Sequence, residues 1–232
     1  MRISILAAVL AAFVVQALAQ DTVLTQQEFV PKSGSGRVVV MVSGQTGPGG
    51  YVQSAQELAN AGFDVVLLDG NQLWIKDTQA AWTLLKSAIT RAQAGPHAQP
   101  GKAAVVGYSL GGGVALAYAT RMPDLVETVV VSYPLTSFIK DPTEFVGKMK
   151  VPVLMLAGTA DTYKDCCLIE KARQLEQAAK ASSPTMLTLH EYAGVGHGFN
   201  LTTAARKDQV AGQDSMERTI SRLREALPPT AR

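Results

Sequence analysis

Residues 103–113 read Ala-Ala-Val-Val-Gly-Tyr-Ser-Leu-Gly-Gly-Gly, and this segment is the most informative about the fold. Its first four residues are apolar, as in a strand buried on both faces, and the segment from Leu110 onward has helical spacing. A Gly-x-Ser-x-Gly pentapeptide lies between them. That pattern is a weak signal by itself, but between a strand and a helix it predicts a nucleophile elbow, a sharp turn that exposes the Ser109 hydroxyl.

Strands and helices alternate on both sides of the elbow. Short apolar runs rich in β-branched residues predict buried strands, and segments with helical spacing separate them. The predicted strands are 38–42, 65–68, 103–106, 126–131, 153–156 and 186–190, and the predicted helices are 52–61, 78–92, 110–121, 168–181 and 208–227. This alternation predicts an α/β fold, a mostly parallel sheet with helices on both faces. Residues 23–30 favour an antiparallel edge strand, and residues 132–150 are too few for a large lid domain.

Two further residues complete a predicted catalytic triad with Ser109. A serine hydroxyl is a poor nucleophile until a base removes its proton, so the elbow requires a histidine and a carboxylate elsewhere. His197 lies in a glycine-rich loop after the last predicted strand, and Asp161 follows the preceding strand. Ligand sites gather at the carboxyl ends of parallel strands. We therefore expect Ser109, Asp161 and His197 to be nucleophile, acid and base, in the chain order that this type of elbow requires.

Other residues could fill the same roles. His190 and His97 are the alternative bases, but His190 falls within a strand pattern and His97 lies in a loop next to proline. Asp165 is the alternative acid, because it is only four residues from Asp161. Asp161 is favoured since it lies closer to the end of its strand.

Two backbone donors are expected to form an oxyanion hole. The elbow supplies one as the N–H of Leu110, the residue after the nucleophile. The second is expected from residues 43–50, a glycine-rich loop after the first predicted parallel strand. Gln45 is the preferred donor and Thr46 the next, although a plain flexible loop would have the same composition.

Three side chains are candidates for the pocket. Trp74 follows the 65–68 strand, Tyr108 adjoins the nucleophile, and Thr46 lies in the oxyanion loop. Core packing would explain Trp74 equally well. Trp82 falls within a helical pattern and is expected in the core.

The first 19 residues have the pattern of a secretory signal peptide. A basic residue precedes an apolar run over 3–15, and Ala17-Leu18-Ala19 is a small-x-small cleavage pattern. The run is shorter than the ~20 apolar residues that a membrane-spanning helix needs. We therefore expect cleavage near Ala19 and export to a periplasm or the medium, without stable membrane insertion. Residues 20–232 are expected to form a single domain.

Composition excludes several classes of partner. The sequence has 21 Lys and Arg against 19 Asp and Glu, and this near balance supplies no field for nucleic acid or an anionic membrane. We expect a small, weakly charged substrate. No Cys/His cluster has the spacing of a zinc site, and no dinucleotide-binding or Walker pattern is present, so we expect no cofactor and no metal.

Cys166 and Cys167 are the two cysteines of the chain, and they are adjacent. Neighbouring Cα atoms lie ~3.8 Å apart, below the usual disulfide span, so a bond between them would close a strained ring. The spacing slightly favours two free, partly buried thiols. The alternative is a vicinal disulfide that stiffens the loop after Asp161.

These motifs resemble the α/β-hydrolase superfamily, and more narrowly its dienelactone hydrolase-like group of small members without a lid. The resemblance covers nearly all of residues 37–227. The segments that carry it are 107–113, 157–161 and 194–199. It implies an α/β-hydrolase fold in which Ser109, Asp161 and His197 are the nucleophile, the orienting acid and the base.

The sequence departs from true dienelactone hydrolases at two places. These enzymes have Cys where this chain has Ser109, and a Glu beside the oxyanion loop where this chain has Ser43-Gly44-Gln45. Dienelactone is therefore a doubtful substrate. A serine nucleophile without that Glu resembles the carboxylesterase-like members of the group.

The sequence thus predicts hydrolysis of small carboxylic esters through an acyl-serine intermediate. A thioesterase, a lactonase or a peptidase could use the same triad. A non-catalytic exported binding protein on a hydrolase scaffold is the alternative from another class.

Overall fold

The computed structural model describes residues 24–201 and 208–228. The predicted signal peptide, residues 1–19, lies outside these ranges. The strands are β1 Gln26–Phe29, β2 Val38–Val42, β3 Asp64–Leu68, β4 Ala103–Tyr108, β5 Val126–Ser132, β6 Val153–Gly158 and β7 Leu187–Tyr192. The α-helices are α1 Val52–Asn60, α2 Thr78–Gln93, α3 Leu110–Ala117, α4 Pro142–Gly147, α5 Ile169–Ser182 and α6 Gln209–Ala226. Short 3-10 helices span Pro48–Tyr51, Gly70–Gln72, Ala119–Arg121 and Tyr163–Asp165.

The seven strands form one sheet in the order β1-β3-β2-β4-β5-β6-β7. All neighbouring strands are parallel except β1, which pairs antiparallel with β3 at the edge. The predicted α/β-hydrolase architecture is confirmed, and the antiparallel strand lies within the predicted range 23–30.

Each face of the sheet packs on its own set of helices. Val38, Val40 and Val42 of β2 join a core with α2, α3 and α5, whereas Val39 and Met41 join a core with α1 and α6. All five side chains are fully buried. Successive residues of a strand point to opposite faces, so a continuous apolar run is what a strand covered on both sides requires.

A reversal of strand order creates the crevice that receives the site. The chain leaves β2 for β3 on one side and then returns to β4 on the other side of β2. In open α/β sheets, ligands bind outside the carboxyl ends of the strands at such a switch point. The loop after β2 and Ser109 after β4 both lie there.

The segment between β5 and β6 contains a helix that the sequence pattern did not predict. Asp141 caps α4, because its Oδ1 accepts the N–H of Glu144 at 3.0 Å. Six residues are too few to show a helical period, which explains the omission. Over the described ranges this segment forms no large lid.

Within residues 24–201 and 208–228, no helix is long and apolar enough to cross a membrane.

Gly111 determines how closely α3 approaches β2, and its substitution tests the packing that forms the elbow. A Cβ at Gly111 would overlap the Val42 carbonyl oxygen and lie 2.5 Å from that of Ser43. We expect Gly111→Ala to lower the free energy of unfolding by about 1–3 kcal/mol, measured by urea denaturation. Gly147→Ala is the matched control, because a Cβ there meets nothing within 4 Å. Equal effects of the two substitutions would contradict this packing.

Candidate active site

The predicted elbow is present at Ser109. Its backbone has φ 52° and ψ −115°, a conformation that a non-glycine residue adopts only where the surrounding structure enforces it. Its N–H donates to the Ser132 carbonyl at 3.1 Å, and its carbonyl accepts the N–H of Leu135 at 2.8 Å. Gly107 must lack a side chain, since a Cβ there would lie 2.5 Å from the Gly111 carbonyl oxygen. These contacts direct the Ser109 hydroxyl into the crevice.

Ser109, His197 and Asp161 form one hydrogen-bonded chain. The His197 Nε2 lies 2.9 Å from the Ser109 Oγ, and its Nδ1 lies 2.7 Å from the Asp161 Oδ2. Asp161 is only 3 % exposed, and its Oδ1 accepts the N–H of Tyr163 at 3.1 Å. An acceptor at Nδ1 favours the tautomer that carries its proton there. Nε2 is then free to accept the serine proton.

The alternative residues lie elsewhere. The Nε2 of His190 faces the Asp214 Oδ2 at 3.6 Å, and the Nδ1 of His97 contacts the Gly34 carbonyl at 2.9 Å. Asp165 is exposed. Of the candidates, His197 and Asp161 are thus the ones in the hydrogen-bonded chain to Ser109, and their roles as base and acid stay predictions.

Two tyrosines that the sequence did not single out hold the imidazole in place. Tyr163 stacks on the His197 ring with centroids 4.6 Å apart and planes 13° apart. Tyr133 packs its ring edge-on at 4.8 Å. Tyr133 directly follows β5, and an aromatic residue at a strand end was the signal that could have found it. For Tyr163 the signal was an aromatic residue two positions after the predicted acid, Asp161. Together they restrict the rotation of the base.

A layer of buried tyrosines lies beneath the site. Tyr108 is 4.8 Å from Tyr51 and 6.2 Å from Tyr133 between ring centroids. Burial raises the pKa of all three phenols above the ordinary value, so they remain protonated at neutral pH. The Tyr133 hydroxyl donates to the Asn200 Oδ1, which ties it to the loop that carries His197.

The expected position of Tyr108 at the pocket mouth is wrong. Tyr108 is 1 % exposed and belongs to the core on the α1 side of the sheet. As the last residue of β4 it follows the strand alternation, which directs its side chain into that core. It supports the site from below.

The loop after β2 lies directly against the nucleophile. A Cβ at Gly44 would lie 3.2 Å from the Ser109 Cβ and would overlap the hydroxyl oxygen of the buried Tyr51, so a side chain at this position would displace its neighbours. The Gly44 carbonyl accepts the N–H of Gly47 at 3.0 Å, and the Asn71 side-chain amide donates to the Gln45 carbonyl at 3.2 Å. These bonds fix the peptide that carries the Gln45 N–H.

The two predicted oxyanion-hole donors, the N–H groups of Leu110 and Gln45, both lie at this crevice. Leu110 is the first residue of α3, and Gln45 follows Gly44. Neither N–H has a hydrogen-bond acceptor within residues 24–201 and 208–228. Thr46, the second choice, is exposed in the same loop. The role of Gln45 stays a prediction.

Trp74 lies away from the nucleophile, contrary to its proposed place at the pocket mouth. It packs edge-on against Phe138 at 5.2 Å and lines a groove of about 730 Å³ that also contains Trp82 and Tyr118. Tyr118 lies just beyond the carboxyl end of α3, whereas Ser109 lies at its amino end. The alternative of packing against the core is correct for Trp74.

The prediction of two free thiols is also wrong. Cys166 and Cys167 are joined in a vicinal disulfide, with Cα atoms 3.8 Å apart. The turn between the 3-10 helix Tyr163–Asp165 and α5 brings their Sγ atoms together, which spacing alone does not reveal. Both Sγ atoms and a ring nitrogen of His197 lie within 4.8 Å of one another.

Comparison with known families shows the family to which the chain belongs. The model of the family "dienelactone hydrolase family" matches residues 68–227, which include the elbow, Asp161 and His197. The chain belongs to the dienelactone hydrolase family. It is therefore an α/β hydrolase, as the fold and the motifs predicted.

A curated relative is similar over part of its length. Carboxymethylenebutenolidase 1 of Cupriavidus pinatubonensis is 31 % identical over 147 residues, which cover 63 % of this chain and 58 % of the relative. The match thus spans less than two thirds of that enzyme.

Solved structures share the fold at low identity. A putative dienelactone hydrolase from Klebsiella pneumoniae has a TM-score of 0.72 at 18 % identity, covering 85 % of this chain and 91 % of that one. Esterase 2 of Thermogutta terrifontis, phosphorylated by paraoxon, has a TM-score of 0.71 at 20 % identity, covering 89 % and 91 %. The monoacylglycerol lipase of Paleococcus ferrophilus has a TM-score of 0.64 at 21 % identity, covering 88 % and 99 %. These likenesses establish the architecture of this family member.

Replacing each of the two neighbouring aspartates tests which one orients the base. We expect Asp161→Asn to slow the labelling of Ser109 by a fluorophosphonate by a factor on the order of 10⁴, because the amide no longer fixes the imidazole tautomer. Asp165→Asn makes the same chemical change four residues away and should alter the rate less than about twofold, since Asp165 is exposed. The labelling rate is measured by quenched-flow sampling and mass spectrometry. Loss of reactivity in Asp165→Asn alone would reverse the assignment.

Proposed function

We propose that this protein is an exported serine carboxylesterase that hydrolyses small esters through an acyl-Ser109 intermediate. The observation that carries the proposal is the continuous chain of hydrogen bonds from the Ser109 Oγ through His197 to Asp161, at 2.9 and 2.7 Å. Membership of the dienelactone hydrolase family supports hydrolytic chemistry. The names of structural neighbours, an esterase and a lipase, support esters as the substrate class.

Acylation begins with proton transfer along this chain. The His197 Nε2 removes the hydroxyl proton of Ser109 as the Oγ attacks the ester carbonyl. The carboxylate of Asp161 stabilises the imidazolium that forms. The backbone N–H groups of Leu110 and Gln45 then donate to the oxyanion. Collapse of the tetrahedral intermediate expels the alcohol, which takes the proton from His197.

Deacylation repeats these steps with water. His197 takes a proton from the water as its oxygen attacks the acyl-Ser109 carbonyl, and it then returns the proton to the Ser109 Oγ. The stacked ring of Tyr163 leaves the imidazole edge free to serve both steps.

The shape of the mouth favours small, accessible esters. Tyr163 is 38 % exposed and Gln45 is exposed, so the described residues leave the crevice open on this side. The Nζ of Lys164 lies 3.4 Å from the Gln45 Oε1 and joins the loop after β6 to the loop after β2 across the rim. A serine nucleophile and Ser43-Gly44-Gln45 in place of the Glu argue against dienelactone as the substrate.

The same triad would accept other acyl donors, because the steps after acylation differ little among them. A panel with one butyryl group presented as aryl ester, alkyl ester, thioester and anilide, together with a lactone, separates these activities. We expect the highest kcat/KM for the aryl and alkyl esters. Faster turnover of the thioester, the lactone or the anilide would replace the carboxylesterase assignment.

Removal of the nucleophile tests the reaction itself. We expect Ser109→Ala to lower kcat toward p-nitrophenyl acetate and butyrate by at least about 10⁴ while leaving the melting temperature within a few degrees of the parent value. Ser182→Ala is the matched control, because Ser182 is exposed at the carboxyl end of α5. Comparable turnover by Ser109→Ala would end the proposal. An unmodified protein that neither turns over esters nor reacts with a fluorophosphonate would be a binding protein instead.

Export has its own test. Expression of the full chain in a secreting host should yield protein outside the cytoplasm that begins at Gln20, as read by mass spectrometry of its N-terminal peptide. Replacing Ala17 and Ala19 with bulky residues should block processing, because the cleavage pattern needs small side chains. Exclusively cytoplasmic, unprocessed protein would overturn this part of the proposal.

A further inference from the structure

The vicinal disulfide lies within the loop that supplies the catalytic acid. Residues 161–168 connect Asp161 to α5, and Cys166 and Cys167 occupy the end of this loop, just before the helix. Cys167 is 3 % exposed, whereas Cys166 is half-buried. The ring that they close is thus part of the acid loop, and Cys166 is the more exposed of its two residues.

The backbone of Cys166 joins two walls of the active site. Its carbonyl accepts the N–H of Thr136 at 2.8 Å and the N–H of Ser137 at 3.0 Å. Thr136 and Ser137 belong to the loop after β5, which begins with Tyr133 against the His197 ring. The Cys166 N–H in turn donates to the Tyr163 carbonyl at 3.0 Å. Cys166 therefore links Tyr163 to the loop that begins with Tyr133.

The same loop contains backbone strain that other contacts must hold. Lys164 and Asp165 have φ values of 49° and 51°, in the left-handed region that L-residues avoid. Such conformations persist only where the surrounding structure enforces them. On the amino-terminal side the Tyr163 N–H is bound to Asp161, and on the carboxyl-terminal side the disulfide ring and the two bonds to the Cys166 carbonyl fix the chain.

The disulfide is close enough to the base to affect it directly. Its two sulfurs and a ring nitrogen of His197 lie within 4.8 Å of one another, a distance at which no residue can be inserted between them. A change in the ring would therefore reach the imidazole through contact and through the stacked Tyr163.

We propose that the Cys166–Cys167 disulfide is a positioning element of the active site and that its reduction by a dithiol slows catalysis. This inference rests on the proposed esterase function and adds its regulation. With the bond closed, the acid loop holds Asp161 and Tyr163 against His197. With the bond open, the turn relaxes from its left-handed conformation and the base loses its stacked partner. Such an enzyme is active in an oxidising compartment and slow in a reducing one.

The redox step is a thiol–disulfide exchange. A thiolate of a small-molecule or protein dithiol attacks the Sγ of Cys166, the more exposed of the two residues, and the Sγ of Cys167 leaves and takes up a proton. The second thiol of the reductant then displaces the Cys166 Sγ, which is also protonated. Two electrons and two protons thus pass to the protein, and the dithiol becomes a disulfide.

The test compares oxidised and reduced protein directly. The purified chain is treated with dithiothreitol and freed of it by anaerobic gel filtration, because thiols cleave p-nitrophenyl esters themselves. EDTA is kept present, since two thiols beside an imidazole would bind a stray divalent cation. The kcat and KM for p-nitrophenyl butyrate and the rate of fluorophosphonate labelling at Ser109 are then measured, together with the thiol count and the melting temperature.

We expect reduction to lower kcat and the labelling rate by about ten- to a hundredfold, the effect of a small displacement of a catalytic group, with a change of less than about threefold in KM. Reoxidation by diamide should restore both rates. The variant Cys166→Ser/Cys167→Ser should resemble the reduced protein and should not respond to dithiothreitol, which makes it the control for unspecific effects of the reductant.

Several results would overturn the proposal. Two free thiols in the untreated protein would show that the bond is absent, and equal kcat in both redox states would show that it positions nothing. A fall in activity that accompanies global unfolding at the assay temperature would show that the disulfide is only a general stabiliser of the fold. These results leave the esterase assignment intact, whereas an oxidised protein that neither hydrolyses esters nor labels at Ser109 would refute both.

Discussion

The backbone conformation of Ser109 is the constraint on which the site depends. A non-glycine residue at φ 52° is unfavourable alone, and the close approach of Gly107 to Gly111, and of Gly111 to the Val42 carbonyl, enforces it here. This packing places the Ser109 Oγ in the crevice where the strand order reverses. The hydroxyl meets the His197 Nε2 at 2.9 Å only because the turn directs it there. Strain in the elbow is thus balanced by packing between α3 and the sheet.

The predicted base, His197, is also fixed by several contacts. Its Nδ1 is bound to a carboxylate that is almost fully buried, and its ring lies between Tyr163 and Tyr133. A buried carboxylate is costly unless it is paired and hydrogen-bonded, and Asp161 meets both conditions through His197 and the Tyr163 N–H. The contacts that stabilise the acid are therefore the contacts that orient the base. In the proposed mechanism, catalysis and the stability of this loop therefore depend on the same few residues.

Much of this arrangement could be predicted from the sequence, because it follows from local patterns. The apolar runs identified six of the strands, and the positions of Ser109, Asp161 and His197 just after strand ends indicated that they would meet. The predictions that failed depend on the direction of side chains and on contacts between segments distant in the chain. Tyr108 points into the core and Trp74 packs against Phe138 in a separate groove, and neither orientation can be read from spacing. Tyr133 lies in the loop after β5, and Tyr163 and the vicinal disulfide lie in the loop after β6; the turns of both loops have no repeating pattern. The six-residue helix α4 was too short to show a helical period.

The central claim is that one serine, activated through His197 and Asp161, is the nucleophile. The most direct measurement is the reaction of the oxidised protein with paraoxon, followed by tryptic digestion and mass spectrometry. We predict one diethylphosphoryl group per chain on the peptide 103–121, located at Ser109 by fragmentation, with labelling abolished in Ser109→Ala and slowed by several orders of magnitude in His197→Ala. An adduct on another residue, an unmodified peptide 103–121, or undiminished labelling in His197→Ala would contradict the account.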